Sequence, residues 1–142
     1  MKLFLDSSFV IYLRYAESDE IKRYVHDLLE RSTKRAFQLM VNMIVIDETI
    51  WILTRKYRRP TSEVLEFVDR VLPILNVIPL NREDYDTMKG AITTYGLKPS
   101  DALHVASTKK AGAVHIASED EEFDRVPSLK RAWLGTQYEK LT

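Results

Sequence analysis

Cysteine is absent from this 142-residue sequence, which removes disulfide frameworks, cysteine-ligated zinc, iron–sulfur clusters and thiol nucleophiles together. Long apolar runs are missing too. The longest is Phe9 to Leu13, whereas a membrane span needs about 20 residues and a signal peptide an apolar stretch of roughly 7 or more. A soluble, cytoplasmic protein with no membrane association is therefore expected. Net charge is zero, 21 Lys and Arg balancing 21 Asp and Glu, so there is no global positive field to hold a nucleic acid and any basic footprint must be local. The four glycines, Gly90, Gly96, Gly112 and Gly135, form neither phosphate-binding fingerprint. No segment is low in complexity and none repeats. What is present is 45% apolar residues at the length of one domain, expected to span residues 1–142 around one core.

Short apolar runs alternate with helical patterns. Leu3 to Leu5 reads as a strand that stops at Asp6, after which Ser7-Ser8 offers a cap for a helix to Tyr15. Residues 17–35 carry Ile21, Tyr24, Val25, Leu28 and Leu29 at steps of three and four, an amphipathic helix. Phe37 to Val41 reads as a second strand, and Asn42 caps a helix from Met43 to Tyr57. A further helix starts near Thr61 or Ser62 and is stopped or bent by Pro73. Val77 to Leu80 is a third strand, and Asn81 with Asp84 suggests a capping box for a helix to Tyr95. Gly90 inside it costs about 1 kcal/mol relative to Ala, which suggests either a close backbone approach or a misplaced boundary. Pro99-Ser100 opens a helix closed by Gly112, Ala113 to Ala117 is a fourth strand, and Leu129 to Leu134 a candidate fifth. The alternation predicts a three-layer α/β/α fold on a central parallel sheet of four to five strands, with sites beyond the strands' carboxyl ends.

The acids follow that geometry. Asp6 and Asp120 come after strands that should end on the same rim. Glu48 lies in a helix with Ile44, Val45, Trp51 and Ile52 three or four residues away, so it projects toward apolar neighbours, where an unpaired carboxylate is costly. Asp47 beside it is the competing candidate, and periodicity alone does not choose. Asp101 opens its helix, where the macrodipole alone is a sufficient structural reason for it. Together the acids form an all-oxygen set suited to a hard cation. Two such charges about 4 Å apart repel by roughly 4 kcal/mol at an effective dielectric of 20, so a cluster requires compensation.

The order Leu3-Phe4-Leu5-Asp6-Ser7-Ser8, then Ile44-Val45-Ile46-Asp47-Glu48 with Leu53, then Asp101-Ala102-Leu103-His104, then Ile116-Ala117-Ser118-Glu119-Asp120 with Phe123-Asp124, resembles the PIN-domain nucleases, and among them the VapC-type toxins. The resemblance spans residues 3–124. It implies a metal-dependent ribonuclease whose catalytic and metal-holding quartet is Asp6, Glu48, Asp101 and Asp120, which chooses Glu48 over Asp47. It also implies one or two Mg²⁺ or Mn²⁺ ions, Asp124 as a further acid used by some members, and Ser118 as a hydroxyl that orients the last carboxylate. The partners it implies are an RNA substrate, a second copy in a homodimer, and a small antitoxin covering the acidic groove. Two departures stand out: Ser7-Ser8 follow the first acid where many relatives have Thr or Asn, and Asn42 lies near a position often held by Ser or Thr.

His104 falls on the face of Asp101. It reads either as a general base or, more commonly, as a ring packed against the sheet with one nitrogen satisfied; His26 and His115 add no zinc spacing. Arg55-Lys56-Tyr57-Arg58-Arg59 is the one dense basic run. Arg55, Lys56, Arg58 and Arg59 are candidate RNA contacts around a stackable ring, or cations answering a helix C-terminus. Arg14 is an isolated second candidate. A receiver-type phosphoacceptor lacks its acidic pair, its acceptor Asp and its late Lys here. The remaining alternative is a catalytically silent RNA-binding or protein-interaction module, which has no use for four mutually repelling acids.

Overall fold

Leu3, Phe4 and Leu5 are all fully buried, the continuous apolar signature of a parallel strand covered on both faces. In the computed structural model, which describes residues 1–141, they belong to β1 (Lys2–Leu5), the central strand of a five-stranded sheet. The others are β2 (Gln38–Val41), β3 (Asn76–Val77), β4 (His115–Ala117) and β5 (Lys130–Ala132), in the order β3-β2-β1-β4-β5 and parallel throughout. Leu3 faces Leu39 on one side and His115 on the other. Thr142, the last residue of the span expected for the domain, lies outside the described residues.

The helices are α1 (Ser7–Tyr15), α2 (Asp19–Lys34), α3 (Met43–Arg55), α4 (Thr61–Val71), α5 (Asp84–Tyr95) and α6 (Pro99–Ala111). They complete the three-layer α/β/α arrangement: α1 packs on α2 and α3, α3 on α4, and α5 on α6. No helix among the described residues is long and apolar enough to cross a membrane.

Several boundaries differ from the sequence reading for identifiable reasons. The first helix is capped by Asp6, whose carboxylate accepts from Ser7 N, while the Ser8 hydroxyl accepts from Glu119 N instead. The third strand covers Asn76 and Val77 rather than Val77 to Leu80. Ile78 N still reaches Val41 O at 2.7 Å, but Pro79 has no N–H to continue the ladder. Only one half of the expected capping box forms, Asn81 N donating to Asp84 Oδ2 at 2.7 Å. The fifth strand is real but short, and α3 stops at Arg55. Gly96 and Gly112 close α5 and α6 at φ 66° and 72°, a left-handed backbone that glycine adopts without strain.

Gly90 satisfies neither expectation: α5 runs through it, and a Cβ there would meet nothing within 4 Å. Its only effect on the helix is the added freedom it gives the unfolded chain. Gly90→Ala should therefore stabilise the fold by about 1 kcal/mol, raising the melting temperature by about 3 °C in calorimetry.

Candidate active site on the carboxyl rim of the sheet

The strand order reverses direction at β1 and β4, and the crevice beyond the ends of those strands is where a parallel sheet offers a site. Asp6 leaves β1 there and Ser118 leaves β4. Their backbones meet through Asp6 N to Ala117 O at 3.0 Å, and the buried Ser118 hydroxyl donates to Asp6 Oδ2 at 2.6 Å. Ser118 Oγ also accepts from Asp120 N at 3.0 Å. This hydroxyl thus orients the Asp6 carboxylate and the backbone of Asp120, where the sequence reading gave it the Asp120 carboxylate. Asp120 in turn caps a short 3₁₀ helix, Glu121–Arg125, by accepting from Glu122 N.

Two helices supply the remaining acids. Glu48 sits in α3 with its side chain 26% exposed, while Asp47 points to solvent. Asp101 lies in the first turn of α6 and is 5% exposed. Its Oδ2 is buried without a hydrogen-bond partner, and Lys98 Nζ approaches it only to 3.9 Å. The start of α6 thus holds this carboxyl in place while leaving that oxygen without a donor.

Asp6, Glu48, Asp101 and Asp120 all line one cleft of about 760 Å³, together with Ser7, Ser8, Ile52, Lys98, Glu119, Glu121, Glu122 and Arg125. Within it, ligand atoms of Asp6, Glu48 and His104 lie within 4.8 Å of one another, as do those of Asp101, Asp120 and Glu122. Glu122 was missed in the sequence. Its Oε2 is buried without a partner, and the signal was its place in the acidic run Glu119 to Glu122, one 3₁₀ turn beyond the fourth strand. Asp124 is not among them: Arg131 Nε and Nη2 take both its oxygens at 2.8 and 2.9 Å, and Arg131 Nη1 donates to Ser118 O. Asp124 therefore braces the loop that carries Ser118.

The electrostatics show how poorly this cluster tolerates its own charge. Burial, reinforced by the charge of Asp6, pushes the Asp101 carboxyl up to about 7. Burial also raises Asp6, against the lowering effects of His104 and the Ser118 hydrogen bond. His104 is fully buried. Burial disfavours its charged form, but the Glu48 hydrogen bond and the charges of Asp6, Glu48 and Asp101 prevail and raise its pKa. Carboxyl oxygens without donors, in an all-oxygen set apart from one imidazole, fit a hard divalent cation. Mg²⁺ or Mn²⁺ would be held by Asp6 and Glu48, by Asp101, Asp120 and Glu122, or by both sets.

The basic run lies elsewhere. Arg55, Lys56, Arg58 and Arg59 are exposed and none lines the cleft. Arg59 pairs with Glu63 through two 2.7 Å contacts. The ring of Tyr57 packs edge-on against Tyr15 and its hydroxyl donates to Glu17, which commits it to the fold rather than to a base. The cations that do line the cleft, Lys98 and Arg125, are ones that sequence density gave no reason to select.

The sequence matches the PIN domain family over residues 3–129. No curated protein sequence matches it. Among solved structures it is similar to VapBC2 from Rickettsia felis bound to a DNA fragment from their promoter, with 17% identity, 92% of this chain and 97% of that chain covered, and a TM-score of 0.72. It is similar to VapC20 from Mycobacterium tuberculosis, described as a sarcin-ricin loop cleaving toxin, with 17% identity, 86% and 92% covered, and a TM-score of 0.70. A toxin-antitoxin complex from Klebsiella pneumoniae gives 18% identity, 90% and 95% covered, and a TM-score of 0.68. At these identities the likeness establishes the fold alone.

The raised Asp101 carboxyl makes stability depend on pH. Unfolded, an Asp titrates near 3.9; folded, this one titrates near 7. Between those values the folded chain holds a proton that the unfolded chain releases, so stability is lost as pH rises through the window. In EDTA, Asp101→Asn should raise the melting temperature by several degrees at pH 8 and leave it nearly unchanged at pH 4. An equal effect at both pH values in scanning calorimetry would contradict the assignment.

Proposed function

This chain belongs to the PIN-domain family, and from that premise we propose that it is a divalent-metal-dependent ribonuclease that hydrolyses RNA phosphodiester bonds through Asp6, Glu48, Asp101 and Asp120. The observation that carries the reading is the pair of acid groups in the cleft, where Asp101 and Glu122 each present a buried oxygen with no donor. Such an arrangement destabilises a binding module and suits a cation-assisted hydrolase.

Mg²⁺ or Mn²⁺ bound there supplies Lewis acidity toward a phosphoryl oxygen and a water of lowered pKa. The protein's own share is placement. Ser118 fixes Asp6 by its hydroxyl, and the capped turn after Asp120 carries Glu122 toward Asp101. Lys98 and Arg125 at the wall of the cleft offset the acids for an incoming phosphate. In the reaction, water adds to phosphorus as the bond to the leaving ribose oxygen breaks, and that oxygen leaves as a hydroxyl.

The VapBC2 structure and the toxin-antitoxin complex among its structural neighbours support a role as the toxin of a toxin-antitoxin pair: a cytoplasmic homodimer whose acidic groove is covered by a small antitoxin. Arg55, Lys56 and Arg58, exposed at and beyond the end of α3, would hold flanking RNA by its phosphates, with Arg59 contributing where Glu63 releases it.

Purified protein incubated with total RNA should cleave it in Mg²⁺ or Mn²⁺ and not in EDTA, and Asp101→Asn should lower the rate by at least about 100-fold. No cleavage with either metal, together with no calorimetric signal for Mn²⁺, would overturn the reading in favour of the silent module. In the Asp101→Asn background, replacing Arg55, Lys56 and Arg58 by Ala should weaken RNA binding. It should also flatten the dependence of log K on log salt by about 0.7 for each phosphate no longer neutralised, as read by fluorescence anisotropy.

A further inference from the structure

Val45 N, in the first turn of α3, is a donor whatever the side chains do, and it donates to Asn42 Oδ1 at 3.0 Å. That single contact fixes which end of the Asn42 amide is oxygen. Reversing the amide would set an NH₂ group against the Val45 N–H. Asn42 Nδ2 is therefore the end that meets Ser107 Oγ at 2.9 Å and His104 Nδ1 at 3.1 Å. An amide nitrogen only donates, so His104 Nδ1 must accept and carries no proton. The ring's proton is then on Nε2, which lies 2.9 Å from Glu48 Oε1 and 3.6 Å from Asp6 Oδ1. Asn42, His104 and Ser107 are all buried, so no solvent competes for these contacts.

From this chain of contacts we infer that His104 is a positioning residue, the neutral Nε2–H tautomer that holds the Glu48 carboxylate in the cleft, with its tautomer set by Asn42. The inference rests on the nuclease reading for the use made of Glu48, but not for the contacts themselves. Two other roles are excluded by the same geometry. A protonated Nε2 has no lone pair for a cation, so His104 is not a metal ligand although its nitrogen lies among the carboxylates. Nor is it a general base, since its one free lone pair, on Nδ1, faces Asn42 inside the protein. The surrounding carboxylates favour a second proton on the ring, but that proton would sit on Nδ1 against the Asn42 amide. With Oε1 of Glu48 engaged, Oε2 is the oxygen left to a cation. The device is a second layer of contacts of the kind that orients metal-binding side chains, here anchored to the N-cap of the helix that carries Glu48.

The test begins without metal. In ¹⁵N-labelled protein at pH 7 with EDTA, long-range ¹H–¹⁵N correlations should show His104 protonated on Nε2 and bare on Nδ1, and its Nε2–H resonance should move upfield in Glu48→Gln. Protonation on Nδ1, on both nitrogens, or no response to Glu48→Gln would overturn the assignment. With Mn²⁺ in a titration calorimeter, Asn42→Ser keeps the helix cap but lacks the amide donor, and should bind about 10-fold more weakly. His104→Leu should bind at least as poorly, and His104→Gln, which retains a donor toward Glu48, should recover most of the affinity. Affinity equal to the original in both Asn42→Ser and His104→Leu would refute the positioning role. No Mn²⁺ binding by the unaltered protein would count against the nuclease reading, and the tautomer measurement would still decide this one.

Discussion

Carboxylates confined together repel, and most of the local structure on the carboxyl rim of this sheet serves to hold them in place. Burial, with repulsion from Asp6 added to it, carries the Asp101 carboxyl up to about 7. Relief would come from letting the acids swing apart into water, and hydrogen bonds oppose this at Asp6, Asp120 and Glu48. Asp6 is held by a strand end, a backbone N–H and the Ser118 hydroxyl. Asp120 is held by the turn it caps, and Glu48 by His104. Asp101 and Glu122 have no such tether; their backbones are fixed in the first turn of α6 and in the 3₁₀ turn, and each leaves a buried oxygen without a donor. A site built this way is less stable than a neutral one and better prepared for a cation, the usual exchange of stability for function.

Support for the cluster extends one layer outward on both sides. On the β5 side, Arg131 links Asp124 to the carbonyl of Ser118, so the acid that looked like an outlying ligand steadies the hydroxyl that steadies Asp6. On the β2 side, Asn42 caps α3 and fixes the His104 ring at once. Asn42 just beyond β2 and Arg131 in β5 thus each orient another residue.

What the sequence made legible follows from period and punctuation. The run Leu3 to Leu5 stopping at Asp6, and Ile116-Ala117 stopping at Ser118, placed both acids on one rim because parallel strands must end together. Glu48 against Asp47 was not decidable from periodicity; the family resemblance chose Glu48, and it is Asp47 that faces solvent. Glu122 was hidden because a 3₁₀ turn has no hydrophobic period to mark it, and its role depends on the direction in which that turn leaves Asp120. Asp124 misled because its partner, Arg131, is contributed by the last strand, a pairing that local pattern does not encode. Density of charge was likewise a poor guide: the basic run is exposed away from the cleft, whereas Lys98 and Arg125 reach it singly. Asn42 was recognised as a cap, but its second duty needs a residue 62 positions further on.

That last separation is typical of the whole site. β1 is made first and occupies the middle of the sheet, yet one of its two neighbours is β4, and the partner of Asp6 is 112 residues away. Asp6 therefore has a local partner in the Ser7 N–H, but its other anchor comes from the far end of the chain. Until Ser118 emerges, the central strand has one open edge and no cleft exists. Contacts this distant in sequence are slow to form. Order at the cleft is therefore a late property of the fold, reached only when the segment carrying Ser118 and Asp120 docks beside the strand that ends at Asp6.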